Sequence, residues 1–239
     1  MKIETGMVLA AGKGERLRPL TDACPKPLIV VGRKSMLDHA IDHLKQVGVK
    51  KVVVNVCHNG DMIIDHLKSR KSPQIVISKE DERLETGGGV LNALSHLSSD
   101  YFFVINGDIL WSDAETPTLE LMEKAWKPSM DALLLMVPLK NSYGYDGEGD
   151  YDMNSKGKLS RHHAAGHAEY VYGGVQILNA RLFEGEEVGQ FSLNKLYDKA
   201  ESKGTLFGLE HKGLWFHVGT PEALMETRAW FEEHELDAH

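Results

Sequence analysis

Four basic side chains, Lys13, Arg16, Arg18 and Lys26, closely follow a short apolar run in MVLAAGKGERLRPLTDACPKPL, Met7 to Leu28, and Gly12 and Gly14 stand among them. Glycine lets a backbone approach a ligand closely, and clustered cations at such a turn point to an anion, above all a phosphate chain. Lys26 lies between Pro25 and Pro27, whose rings restrict the local backbone and present its ammonium as a fixed point charge. The plainer alternative is a basic strand-to-helix turn whose cations face water.

Three further stretches carry chemistry. In LETGGGV, Leu84 to Val90, three successive glycines precede a helix expected over Val90 to Leu97, so backbone should come close to a ligand or offer it N–H groups. In FFVINGDIL, Phe102 to Leu110, Asn-Gly is the usual signal of a tight hairpin. The other reading delivers Asp108 at the end of a central parallel strand, where a carboxylate can hold a divalent cation against phosphate oxygens. In GLWFHVGTPEAL, Gly213 to Leu224, His217 ends a strand ahead of a capped helix; a lone histidine there is more often structural. Arg161, His162, His163 and His167 resemble a metal cluster only superficially and are expected in an exposed loop, whereas Met136, Trp126 and Trp230 are expected in packing.

Two phosphate-binding motifs are excluded. A Walker A loop needs G-x-x-x-x-G-K-[ST], and Gly12 and Gly14 are two apart with no Lys-Ser/Thr after them. A dinucleotide fingerprint needs a third glycine where Leu17 stands, and an acid closing the second strand where Val56 runs into Cys57 and His58.

The elements that must position these residues follow from periodicity. Apolar, β-branched runs at Gly6–Ala10, Lys51–Val56, Gln74–Ser78, Tyr101–Asn106 and Ala132–Pro138 predict strands, and the early ones alternate with helical patterns. Met36, Leu37, Ala40, Ile41, Leu44 and Val47 mark one face of a helix opened by Ser35 and closed at Gly48. Asp61–Lys68 predicts another helix. Parallel strands with crossover helices place ligands beyond the carboxyl ends of the strands, which is where the motifs fall. Later, Tyr170–Leu178, Thr205–Glu210 and Leu214–Val218 predict strands, Ser192–Ser202 a helix, and Thr220-Pro221-Glu222 starts a last helix reaching about Phe231. Gly147 to Gly157 reads as loops or a short hairpin. No hexapeptide repeat occurs, which removes a β-helix.

The 239 residues, 42% hydrophobic and 26% charged, suit one domain with a sizeable core. Cys24 and Cys57 form no CxxC unit and fit free thiols in a reducing compartment. A net charge of -8 argues against nucleic acid as a partner, and no apolar run suits a membrane span. The N-terminus lacks a signal-peptide pattern, so the expected location is cytoplasmic. A monomer or small homo-oligomer is expected.

Leu9-Ala10-Ala11-Gly12-x-Gly14-x-Arg16-Leu17-x-Pro19-Leu20-Thr21, followed by Pro25-Lys26-Pro27-Leu28, resembles the signature of sugar-1-phosphate nucleotidylyltransferases. The second glycine stretch, Asn106-Gly107-Asp108, and Trp215-x-x-Val218-Gly219-Thr220-Pro221-Glu222 fall in the family's order, so the similarity covers most of the chain. Within the family, Leu84 to Gly89, Glu80 just before them, Gly149-Asp150-Tyr151 and the lack of an acyltransferase domain are most similar to the N-acetylmuramate 1-phosphate uridylyltransferases.

The resemblance implies an α/β, Rossmann-like three-layer fold with a mixed, mostly parallel central sheet. It implies one domain, with a nucleotide-binding part over residues 1–110 or so and a sugar-binding part over the remainder. It implies a reaction of UTP with N-acetyl-α-muramate 1-phosphate giving the UDP-sugar and pyrophosphate, in peptidoglycan recycling. A sibling enzyme handling mannose or glucose 1-phosphate with another NTP, and a noncatalytic nucleotide-sugar-binding regulator, are the alternatives.

Carried onto this chain, the resemblance gives Ala10, Ala11, Gly12, Lys13, Gly14, Gly87, Gly88 and Asn106 to the nucleotide. Arg16 would neutralise the β- and γ-phosphates and Lys26 bridge the α-phosphate and the sugar phosphate, while Asp108 would bind Mg2+. Glu80, Asp150, Glu169 and Gly174 would serve the substrate, with Tyr172 near the sugar. One position departs: the family usually has Asp where this chain has His217, and that Asp is normally a second metal ligand. Imidazole suits Mg2+ poorly. Asp108, phosphates and water then hold Mg2+ alone, or Mn2+ is preferred, or activity is low.

Overall fold

A computed structural model describes residues 2–97, 99–161 and 167–235. Its centre is a sheet of nine strands: β1 (Thr5–Leu9), β2 (Lys51–Val56), β3 (Gln74–Lys79), β4 (Tyr101–Asn106), β5 (Ala132–Pro138), β6 (Tyr151–Met153), β7 (Leu159–Arg161), β8 (Tyr170–Asn179) and β9 (Leu206–Glu210). β4, β1, β2 and β3 lie side by side and parallel, with Met7 flanked by Val53 and Val104. β8 runs antiparallel to β4 on one side and to β5 on the other, and β9 pairs β5 in parallel. The sheet is therefore mixed and mostly parallel in its first half, as the sequence predicts.

Both faces are covered, because the strands are apolar on both. One face buries Val8, Val52, Val54, Phe103 and Ile105 against helix α1 (Met36–Gln46), which presents Leu37, Ala40, Ile41 and Leu44. Ser35 caps α1 by accepting the Asp38 amide at 3.1 Å. Helices α2 (Gly60–Leu67) and α4 (Thr118–Ala125) join this layer through Ile63, Leu119 and Met122. The other face buries Met7, Val53, Phe102 and Val104 under helices α3 (Glu85–Ala93) and α5 (Asn194–Ser202). Helix α6 (Pro221–Glu235), with Thr220 accepting the Ala223 amide at 3.2 Å, closes a third cluster around Phe216 and runs past the expected end at Phe231. Met136 and Trp126 are buried and Trp230 packs on Phe216.

One alternative reading is ruled out and one expectation needs correction. Asn106-Gly107 is no hairpin: β4 sits between β1 and β8, while Ile109–Trp111 pairs with Trp215–His217 in a separate three-stranded sheet. Gly107 instead packs on β1, donating its amide to the Leu9 carbonyl at 2.8 Å. A Cβ there would stand 2.7 Å from that oxygen.

The glycine run does not precede a helix but lies inside α3, which starts at Glu85. Its glycines are sites of close packing. A Cβ on Gly87 would meet the Phe191 ring at 2.3 Å, and one on Gly88 would meet the Gly189 carbonyl at 1.9 Å. Backbone cannot retreat as a flexible side chain can, so Gly88→Ala is expected to cost about 3 kcal/mol. Urea unfolding of the two proteins checks this; a loss under about 1 kcal/mol would mean that the contact of α3 with the Gly189–Phe191 segment is soft.

Residues 147–157 give a loop, then β6 and the turn that joins it to β7 in an antiparallel hairpin. Arg161 ends β7 and His167 is exposed; His162 and His163 lie outside the described residues.

Candidate active site

The carboxyl ends of β1, β2 and β4 open onto a cavity of about 370 Å³. Its floor is the turn after β1. Gly14 takes φ +65, and a Cβ there would stand 2.9 Å from both Lys26 Cβ and Thr21 Cγ2, so only glycine lets the turn close on Lys26. Leu17 anchors the following helical turn in the third core cluster, leaving Arg16 to face the cavity. Ala11, Gly12, Lys13 and Gly14 also line it, with Asn106 and Asp108 from the far side of β4.

Lys26 and Asp108, 82 residues apart in sequence, meet here: Nζ lies 2.8 Å from Oδ2. The Lys26 side chain is 8% exposed and that of Asp108 38%. Burial works to raise the Asp108 carboxyl, but the Lys26 charge and hydrogen bond, with His217 and Arg16 behind them, hold it below the ordinary carboxylate value. The site is thus a charged, partly desolvated cleft with cations in excess, suited to a polyanion.

His217 stands beside this pair. Its backbone pairs with Ile109, next to Asp108, and its ring stacks on Trp215 at 5.7 Å. Burial lowers its pKa, and Lys26 and Arg16 add to that against the pull of Asp108, so the imidazole is neutral at neutral pH. Nδ1 lies 3.3 Å from the Gly144 carbonyl. That contact makes Nδ1 the donor and leaves Nε2 a lone pair.

Asp108 and His217 are one hard and one borderline donor, and among the described residues no group of three or more His, Cys, Asp or Glu could hold a metal. An ion at this place would take its remaining ligands from phosphate oxygens and water, which is how Mg2+ is commonly held.

Other expected residues lie behind the lining. The Ala10 amide donates to Asn55 Oδ1 at 2.8 Å, Asn55 Nδ2 to Glu80 Oε1 at 2.7 Å, and the Leu84 amide to Glu80 Oε2 at 3.1 Å. Both Glu80 oxygens are therefore engaged in bracing the wall. The Gly87 and Gly88 amides donate to the Phe191 carbonyl at 2.9 and 3.1 Å, so they offer nothing to a nucleotide in this arrangement. Asp150 Oδ2 accepts the Tyr172 amide at 2.8 Å, where β8 shifts register between Tyr172 and Gln176. Gly174, at φ +71 in that irregularity, backs onto Asn106. Glu169 is exposed, its amide donating to Asp152.

The lining also includes residues to which the sequence reading gives no role, among them Glu15, Asn55, Arg83, Glu85, Thr86 and Gly219. For Asn55 the available signal is its position at the end of β2, and Glu85 and Thr86 stand in the LETGGGV stretch, where the glycines draw the attention; nothing in the local sequence marks Arg83.

The chain matches the family described as nucleotidyl transferase over residues 5–234. It is 36% identical over 233 residues to an N-acetylmuramate alpha-1-phosphate uridylyltransferase of Caulobacter vibrioides, covering 95% of this chain and 96% of the relative. An enzyme of the same description from Neisseria meningitidis serogroup B is 32% identical over 227 residues, covering 93% and 96%. Among solved structures, HddC from Yersinia pseudotuberculosis superposes with a TM-score of 0.78 at 23% identity, over 96% of this chain and 100% of that one, a likeness of fold. No described helix is long and apolar enough to cross a membrane. With a matched span that reaches from β1 into α6 and takes in every residue of the cleft, the chain belongs to the nucleotidyl transferase family.

Proposed function

We propose that the chain transfers a nucleotidyl group from UTP to N-acetyl-α-muramate 1-phosphate, releasing pyrophosphate, a reaction that belongs to peptidoglycan recycling in the cytoplasm. The observation that carries this is the meeting of Lys26 and Asp108 at 2.8 Å in a cavity shared with Arg16 and Lys13. The descriptions of the two relatives supply the base and the sugar.

The sugar phosphate is itself an anionic nucleophile. Its oxygen forms a bond to the α-phosphorus as the bond to the departing pyrophosphate breaks, so no protein nucleophile and no net proton transfer is required. Lys26, nearly immobile in its buried seat, lies between donor and acceptor phosphates and offsets their repulsion. Arg16 and Lys13 face the β- and γ-phosphates, where negative charge accumulates on leaving. Asp108 and His217 would hold a divalent ion, whose chemistry when bound is added positive charge against the phosphate oxygens. Residues 1–110 or so serve the nucleotide and the remainder the sugar, with His217 reaching back from the second part to the ion.

Pyrophosphate release from four NTPs, each with several sugar 1-phosphates, tests the reading. Turnover with UTP and N-acetylmuramate 1-phosphate is expected; turnover only with another pair would move the assignment to a sibling enzyme. His217 is the observation favouring a noncatalytic regulator. Tight nucleotide-sugar binding without any turnover in Mg2+ or Mn2+ would establish that instead.

An imidazole in place of an oxygen donor favours the softer ion. His217→Asp is expected to lower the Mn2+-to-Mg2+ affinity ratio about tenfold, read by titrating each ion into the protein–UTP complex. An unchanged ratio would take His217 out of the ion's reach.

A further inference from the structure

Two charged side chains on the cavity wall have no task in phosphate chemistry as described, and what they do rests on the proposed nucleotide-transfer reading. In the sheet, β4 with Asp108 lies on one side of β1, and β2 and β3 on the other. Arg83 and Glu85 follow β3, so they face the end of the cavity away from Lys26 and Asp108. A nucleoside triphosphate whose phosphates lie among Arg16, Lys26 and Asp108 directs its base toward them.

Arg83 is exposed on that wall, and among the described residues it has no ion pair or hydrogen bond, although Asp81 and Glu82 adjoin it in sequence. Glu85 accepts Gln190 Nε2 at 3.2 Å on Oε1, and Oε2 has no partner among the described residues. Glu85 also holds φ +60, a conformation that non-glycine residues adopt at a cost and that clusters at ligand sites. Surrounding contacts fix it there. The Phe191 amide donates to the Leu84 carbonyl at 3.1 Å, and the Leu193 amide to Thr86 Oγ1 at 2.9 Å. The Gly87 and Gly88 amides are taken by Phe191 on the helical side. The wall is pre-organised rather than adaptable.

We propose that Arg83 and Glu85 together read the base edge. A guanidinium that only donates and a carboxylate that only accepts, both lining the same wall and not paired with each other, can complement a ring C=O next to a ring N–H when both reach one base. Uracil presents that pattern as O4 and N3–H, and guanine as O6 and N1–H. Cytosine and adenine present the reverse, an amino donor beside a ring acceptor, which sets donor against donor and carboxylate against lone pair. The pair therefore selects oxo bases over amino bases.

Equilibrium titrations of UTP, CTP and inorganic triphosphate against the wild type, Glu85→Gln and Arg83→Gln test this, with thermal melts to verify folding. The wild type is expected to favour UTP over CTP. Each variant is expected to lose about tenfold or more of that ratio, with inorganic triphosphate affinity held within about twofold. Equal weakening of all three ligands by Arg83→Gln would make Arg83 a phosphate ligand and overturn the proposal. A UTP-to-CTP ratio unmoved by both variants, or absent from the wild type, would overturn it too, while leaving nucleotide transfer intact. Failure of the wild type to bind any nucleotide would sink the transfer reading, and this inference with it.

Discussion

Asp108→Asn is expected to lower turnover by about a thousandfold or more in a protein that still folds, because the substitution keeps the shape and removes the charge, with a loss of stability from the buried Lys26 left without its partner. Two opposing effects on binding make the result diagnostic. Without a divalent ion, the Asp108 carboxylate faces the same cavity as the incoming phosphates and repels them. Metal-free affinity for UTP should therefore rise or hold in the variant. With Mg2+ or Mn2+ present, the wild type gains an ion-bridged contact that the variant lacks, so the metal-dependent gain in affinity should disappear. Calorimetric titration of UTP with and without the ion reads both signs. Turnover within about tenfold of the wild type would remove Asp108 from the reaction.

How much of this was legible in the sequence depends on the range of the interaction that decides each feature. β2, with KVVVNV, and α1, with an apolar stripe behind a serine cap, are set by local periodicity and came out within a residue or two of where the pattern puts them. The Asn106-Gly107 turn signal is equally local, but it was overridden. The residues after it pair with Trp215–His217, about a hundred positions on, and no turn rule carries that information.

The glycine run shows the limit most clearly. Three glycines announce a close approach and do not say of what. The partner is the Gly189–Phe191 segment, which packs onto α3 from the other half of the chain. Read as a ligand cradle, Gly87 and Gly88 were expected on the nucleotide. As packing sites, they leave the cavity wall to Glu85 and Thr86, the residues just ahead of them. Glu80 is displaced inward in the same way: its carboxylate accepts both the Asn55 amide and the Leu84 N–H, so it holds the wall.

Lys26→Met is the second large effect, and it separates stability from chemistry. The side chain is 8% exposed, and its ammonium is the main partner that keeps the Asp108 carboxylate charged against the cost of burial. Removing one member of such a pair leaves the other uncompensated, for which about 3 kcal/mol is typical; the 38% exposure of Asp108 lets water recover part of it, so about 1–2 kcal/mol is expected. Turnover should fall by about a hundredfold to a thousandfold, since a fixed cation between two phosphates is lost. The double variant Lys26→Met with Asp108→Asn distinguishes the two roles. With no charge left unpaired, its unfolding free energy should return toward that of the wild type, whereas its turnover should stay at or below that of either single variant. Recovery of activity together with stability would mean that Lys26 serves only to neutralise Asp108, and that the transferring phosphates are held by other groups.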